Sequence, residues 1–264
     1  MKQAISILKM VKKIALLLVF ISCSVCGQQS RLDTFKIYST ALNEDREISI
    51  YLPKHFNENI NYNVIYSTDG QFINEQYKNK LDHLIDLKKI EPVVIIGVHS
   101  NETEIPNSYF EYRNYEYLES MGIGETNTDL SNRFKNHLSF FTAEVPKEIE
   151  EKYHLKVKNK YFYGVSNGAG FGFYLACNYP DFFQKYILYS IAGAEYQNLN
   201  WELKNYPNLT LAYGDKENKR LIENIKNLST FLNTKGYNHT IRMYNGGHNR
   251  SDWLNQFSED LKAL

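Results

Sequence analysis

The chain has 264 residues, 43% hydrophobic, 14% aromatic and 23% charged, which is enough apolar material to bury a substantial core and excludes disorder over the whole chain. Thirty Lys and Arg balance thirty Asp and Glu. No net field therefore draws the protein to a polyanion or an anionic surface, and nucleic acid is not an expected partner.

Lys2, Lys9, Lys12 and Lys13 precede the apolar run IALLLVFI (14–21), and small residues follow. This is the order of a secretory signal, and the run falls far short of the ~20 residues that span a bilayer. The sequence thus predicts a signal peptide over 1–27, an exported (periplasmic or secreted) mature chain over 28–264, and no stable membrane insertion once the signal is removed. Cys23 and Cys26 leave lipid anchoring open. After cleavage Cys177 alone remains, so the mature chain has no internal disulfide and no cysteine metal cluster, and Cys177 reads as a small packing residue on a helix.

FKIYS (35–39) and EISIYLP (47–53) alternate about Asn43, Glu44 and Asp45 and read as a hairpin. Six further short β-branched or aromatic runs follow, at 64–67, 92–98, 161–165, 185–191, 209–214 and 240–244. Between most of them lie stretches of helical spacing, at 74–89, 141–154, 168–178, 219–235 and 250–263. The expected class is α/β, a mostly parallel sheet with helices on both faces and an antiparallel hairpin at its N-terminal edge, in a single domain. Between Val98 and Phe141 the sequence predicts a long loop containing Tyr109, Phe110, Tyr112, Tyr115 and Tyr117. Such a loop is an aromatic wall over a ligand pocket or an ordinary packed insertion.

YFYGV (161–165) runs straight into Gly164-Val165-Ser166-Asn167-Gly168 and then a helical stretch. A serine on a sharp strand-to-helix turn holds its hydroxyl above the sheet, and the helix start supplies N–H groups suited to an oxyanion. Serine needs a base, and the base an acid, in the chain order serine, acid, histidine. His248, in a loop with Gly246 and Gly247 after the last strand, is placed for this; His239, before that strand, belongs to the opposite end of the sheet. The acid is Asp215 or Glu217, both just beyond LTLAYG (209–214). Oxyanion N–H groups are expected from Asn167 and from Gln71, beyond the Asp69-Gly70 turn. No metal or organic cofactor is implied.

YSTDGQF, EYRNYEYLE (111–119), FFTAEVPKEIEEKY (140–153), YGVSNGAGFGFYLACNYPDFF (163–183), LAYGDKE and NGGHNRSDW (245–253) together resemble the esterase D family of α/β-hydrolases. The resemblance spans roughly 35–262. It implies an α/β-hydrolase fold and a serine carboxylic ester hydrolase acting on a small-molecule or carbohydrate-linked ester, siderophore-like esters included. It places the acid three residues after Gly214, at Glu217, with Asp215 second. It also marks Arg113 in the crossing loop as substrate-binding, beside Tyr112 and Tyr115 of the aromatic wall read above. Arg113 fits better still as one half of an exposed i,i+3 pair with Glu116. A non-catalytic ligand-binding protein and an acyltransferase are the alternatives on the same scaffold.

Overall fold

In β3 (Asn61–Ser67) and β4 (Val93–Val98) successive side chains go to opposite faces, and both faces are apolar. Val64, Tyr66, Val94, Ile96 and Val98 join one buried cluster, while Ile65, Val93 and Ile95 join another. A strand buried on both faces requires helices on either side, the solution that parallel sheets adopt. The computed structural model describes residues 28–196 and 206–264. The expected signal peptide, with Cys23 and Cys26, lies outside the described residues.

The remaining strands are β1 (Arg31–Ser39), β2 (Glu44–Leu52), β5 (Lys156–Val165), β6 (Lys185–Tyr189), β7 (Asn208–Gly214) and β8 (His239–Tyr244). They form one eight-stranded sheet in the order β1-β2-β4-β3-β5-β6-β7-β8. The β1–β2 hairpin pairs antiparallel to β4, and every later pair is parallel. The order runs outward from β3, so the ends of β3, β5, β7 and β8 open on one edge of the sheet, where ligands bind in such folds.

Helix α1 (Glu75–Asp86) and the C-terminal helix α7 (Arg250–Asp260) cover one face, through Tyr77, Leu81, Leu84, Trp253 and Phe257. The other face is covered by α4 (Val145–Tyr153), α5 (Asn167–Asn178) and α6 (Lys219–Thr234). Asn74, Asn218 and Asn249 cap α1, α6 and α7 by accepting a backbone N–H from the first turn. Cys177 is a buried free thiol on α5.

The segment between Val98 and Phe141 differs from the expected open loop. It contains α2 (Tyr112–Tyr117), a short turn at Glu119–Gly122 and α3 (Thr128–Ser139), which runs through a π-helical turn at Phe140–Glu144 into α4. The polar composition of 127–139 reads as loop, but Leu130, Arg133, Phe134 and His137 share the inward face at helical spacing, and Asn127 caps the first turn. Tertiary burial, not propensity, makes this helix. A buried ion cluster fastens it: Glu116 of α2 accepts from Arg46 of β2, with Nη2 at 3.0 Å, and from Nε and Nη2 of Arg133 at 3.1 and 2.8 Å.

Candidate active site

β5 passes into α5 at Ser166, whose backbone stands at φ 54, ψ −125, a conformation L residues rarely adopt. The turn is braced from the neighbouring strand: the Ser166 N–H donates to the Tyr189 carbonyl at 3.0 Å, and the Ser166 carbonyl accepts from Ala192 at 3.1 Å. A Cβ at Gly164 would lie 2.6 Å from the Gly168 carbonyl oxygen, and one at Gly168 would lie 2.2 Å from Thr68 Oγ1. The first contact is what lets the chain reverse so sharply; the second sets the 68–72 loop against the start of α5. Asn167 opens α5, so its N–H has no carbonyl four residues back within the helix.

The loop after β8 brings His248 Nε2 to 3.2 Å from Ser166 Oγ. That loop is held in shape: Gly246 N–H donates to Asp215 Oδ1 at 3.0 Å and Gly247 N–H to Asp252 Oδ2 at 2.7 Å. The imidazole stands edge-on to Trp253 at 4.8 Å. Of the two candidate acids, Asp215 is exposed and engaged with Gly246, whereas Glu217 is buried and faces His248 Nδ1, with Oε2 at 3.7 Å. The reason lies in the turn after β7: Gly214 N–H donates to Glu217 Oε1 at 3.1 Å, folding the carboxylate back beneath the strand end. His239 starts β8 and bonds Ser229 Oγ at 2.7 Å, far from this cluster in the sheet.

Three residues that sequence reasoning did not single out complete the setting of Glu217. Ser190 Oγ and, at 3.1 Å, Tyr244 OH donate to Oε1, and Trp253 Nε1 donates to Ser190 Oγ at 2.8 Å. Oε1 thus collects the fixed donors and Oε2 is turned to the imidazole. Burial alone pushes the Glu217 pKa up, but His248, Ser190, the Gly214 N–H and Tyr244 together hold it below the usual carboxylate value. The carboxyl is therefore ionised at neutral pH. Position was the one available signal for Ser190, since β6 neighbours the strand that carries the elbow.

A cleft of about 610 Å³ opens over Ser166 and His248, with Phe72, Arg113, Arg250 and Trp253 in its walls. Gln71 lies in the single turn Gly70–Phe72, its side-chain amide donating to Ser100 Oγ at 2.6 Å and Glu102 Oε1 at 2.7 Å. Arg113 borders the cleft but does not pair with Glu116; it forms an ion pair with Asp69, Nε to Oδ1 at 2.6 Å. Tyr112 and Tyr115 do not line the cleft. Three residues apart, they share the opposite face of α2 and pack with Ile105 and Leu130, where the Tyr115 hydroxyl donates to Glu125 at 2.7 Å. The expected aromatic wall is likewise divided, with Tyr117 buried and Tyr109 and Phe110 exposed on the loop surface. Among the described residues no group of three His, Cys, Asp or Glu side chains could hold a metal ion, and no helix is long and apolar enough to cross a membrane.

Residues 39–264 match the family model Esterase. The chain belongs to this esterase family. With membership goes the hydrolysis of carboxylic esters, and the likeness to esterase D read from the motifs agrees with it. A search of curated proteins finds no match. Among solved structures, the esterase is similar to a ferulic acid esterase at 18% identity and a TM-score of 0.67, covering 89% of this chain and 97% of the other. It is similar to the siderophore hydrolase EstA from Aspergillus nidulans at 16% identity and a TM-score of 0.67, covering 88% and 94%. A serine-to-alanine mutant of the feruloyl esterase module from Clostridium thermocellum, complexed with sinapinate, matches at 15% identity and a TM-score of 0.65, covering 90% and 89%. These likenesses establish the α/β-hydrolase fold of the esterase.

Proposed function

We propose that this esterase is an exported serine hydrolase that cleaves carbohydrate-linked or siderophore-like esters through an acyl-enzyme. The observation that carries the reading is the 3.2 Å approach of His248 Nε2 to Ser166 Oγ, with the buried carboxylate of Glu217 on the far side of the imidazole. His248 takes the Ser166 proton as Oγ attacks the ester carbonyl. The N–H groups of Gln71 and Asn167 hold the resulting oxyanion, and Glu217 steadies the imidazolium without being protonated itself. His248 then returns the proton to the departing alcohol, leaving the acyl group on Ser166. Water, deprotonated by the same imidazole, releases the acid and restores the hydroxyl. The steps use side chains and backbone N–H groups of this chain together with water.

Export is supported by the signal-like order of residues 1–27. The substrate class is supported by the size of the open cleft, by the rings of Phe72 and Trp253 in its wall, and by the likeness to a ferulic acid esterase, a feruloyl esterase module and a siderophore hydrolase. The test is a panel of acetyl-xylan, a feruloyl sugar, a catecholate siderophore ester and short aryl esters, run on the wild type and Ser166→Ala. Turnover of a sugar or siderophore ester above the aryl esters, lost with the serine, is expected. Activity retained in Ser166→Ala removes the nucleophile, and acyl transfer to an added sugar in place of water makes the protein an acyltransferase.

A further inference from the structure

Arg113 borders the cleft, yet its guanidinium is already engaged. Nε donates to Asp69 Oδ1 at 2.6 Å and Nη2 to Oδ2 at 2.9 Å, a two-pronged fork that fixes both the place and the rotation of the carboxylate. The guanidinium plane lies over the Tyr117 ring at 4.9 Å. The Tyr117 hydroxyl accepts the Asp69 backbone N–H at 3.1 Å. Asp69 is buried and left-handed, at φ 54, ψ 46, and it immediately precedes the Gly70–Phe72 turn that contains Gln71.

That turn is clamped on three sides. Below it, Gly70 sits so close to Gly97 of β4 that a Cβ would fall 2.2 Å from the Gly97 carbonyl oxygen. Beside it, Thr68 abuts Gly168 at the start of α5. Above it, α2 reaches down through Arg113 and Tyr117. The first contact is backbone on backbone and the second sets the Thr68 side chain against the Gly168 backbone, whereas the third is polar, and its charged fork rests on Arg113 alone while Tyr117 OH keeps its own bonds to Asp69. α2 can bear on the turn because Glu116, on the same short helix, is locked between Arg46 and Arg133.

We propose that Arg113 is a positioning residue: by holding Asp69 in its left-handed conformation it sets where the Gln71 N–H stands over Ser166, and its charge does not serve to bind substrate. The inference rests on the serine-hydrolase reading above. Its physical basis is that an oxyanion donor acts only from a fixed place, so a donor allowed to drift loses stabilisation of the transition state and little of the ground state. A lysine keeps the charge but offers no planar fork, and cannot fix the carboxylate's rotation.

The test uses p-nitrophenyl acetate, a neutral ester with no anion for Arg113 to bind, on the wild type, Arg113→Met, Arg113→Lys, Asp69→Asn and the Arg113→Met/Asp69→Asn double variant. Loss of a whole oxyanion donor costs about 10²–10³ in kcat, so a displaced one is expected to lower kcat about 10- to 100-fold. KM is expected to stay within about threefold, because ground-state binding is untouched. Arg113→Lys should recover little, and the double variant should be no worse than the worse single one, since both act through one contact. Circular dichroism identifies a variant that fails to fold, in which case Arg113→Lys and Asp69→Asn carry the comparison. A fluorophosphonate probe is applied to the wild type in parallel: an unlabelled wild type overturns the serine reading itself. With the wild type labelled, an unchanged kcat in Arg113→Met or full recovery in Arg113→Lys overturns the positioning role alone.

Discussion

The hydroxyl of Ser190 donates to Oε1 of Glu217 while accepting the indole N–H of Trp253 at 2.8 Å. One small residue thus ties β6 and α7 to the carboxylate behind His248. In Ser190→Ala the buried indole N–H loses its acceptor and Glu217 loses a donor, at a cost of about 1–3 kcal/mol. The same loss lets burial act more fully on Glu217, whose pKa rises from its depressed value. A depressed carboxylate stays ionised as pH falls until its folded pKa is reached, so raising that pKa makes the group protonate earlier. Isotope-edited NMR of labelled glutamate should therefore show the Glu217 carboxyl taking up its proton at higher pH in Ser190→Ala than in the wild type; an unchanged titration would separate Ser190 from the carboxylate.

Glu217 and Asp215 do different work two residues apart. Glu217→Gln preserves the shape but removes the charge that steadies the imidazolium, and an analogous loss in a serine protease lowers kcat about 10⁴-fold. Asp215→Asn keeps the Oδ1 that receives the Gly246 N–H, and an exposed change of this kind costs within about 0.5 kcal/mol. Steady-state kinetics on the two variants should differ by orders of magnitude. Comparable losses would mean that the loop carrying His248, and not Glu217, governs the imidazole.

The ion cluster under α2 makes the fold acid-sensitive in two stages. Burial, assisted by the nearby Arg46 and Arg133, drives the pKa of His137 down to about 3, although Glu116 opposes this. Burial pushes Glu116 up, but Arg46, His137 and Arg133 outweigh it and hold the carboxyl at about 2. Below about pH 6.5 the unfolded chain protonates His137 while the folded one does not, so stability falls by about 1.4 kcal/mol per pH unit. Glu116 contributes stability fully above its unfolded pKa, near 4.5, and that contribution is lost as pH falls from there towards 2. Urea midpoints should thus decline from pH 6.5 and more steeply below 4.5. In Glu116→Gln the second decline should vanish, and breaking the buried cluster should cost about 3–5 kcal/mol at pH 7. A flat profile from pH 7 to 5 would mean that His137 is not held neutral.

Gly168 is where α5 meets the loop that carries Gln71. Gly168→Ala places a methyl 2.2 Å from Thr68 Oγ1 and 3.0 Å from Asp69 Oδ2. Overpacking of this kind costs about 1–3 kcal/mol, and here the strain falls on the loop that carries Gln71, the proposed oxyanion donor. Esterase activity should drop more than stability does, and Thr68→Ala in the same chain should restore part of it. Full activity in Gly168→Ala alone would show that the loop moves aside freely.

The parts of the site that were legible in the sequence are those that the chain makes locally. Ser166 follows a strand and precedes a helix with glycines on either side, and His248 lies just after the last strand, so adjacency alone placed both. The carboxylate that faces His248 was legible from the residues only to within two positions, with the family resemblance favouring Glu217, because the outcome depends on a turn that buries one carboxylate and exposes its neighbour. Ser190, Tyr244 and Trp253 come from three elements and meet at one oxygen, which no local pattern records. Arg113 finds its partner 44 residues away, so its i,i+3 neighbour Glu116 was the natural expectation and the wrong one. The same holds for α3, whose sequence is polar on average and becomes helical because four inward residues, Leu130, Arg133, Phe134 and His137, find burial against α2 and α5.

The central claim is that an acyl group passes through Ser166. It is tested most directly by mixing the wild type with a slowly deacylating aryl ester, quenching in acid within the first turnover, and reading the intact mass and the modified peptide. The account predicts one acyl mass per chain, carried by the peptide that contains Ser166 and absent in Ser166→Ala, whose turnover is lost. An unmodified wild type that turns over, or a Ser166→Ala variant that still hydrolyses the ester, would contradict it.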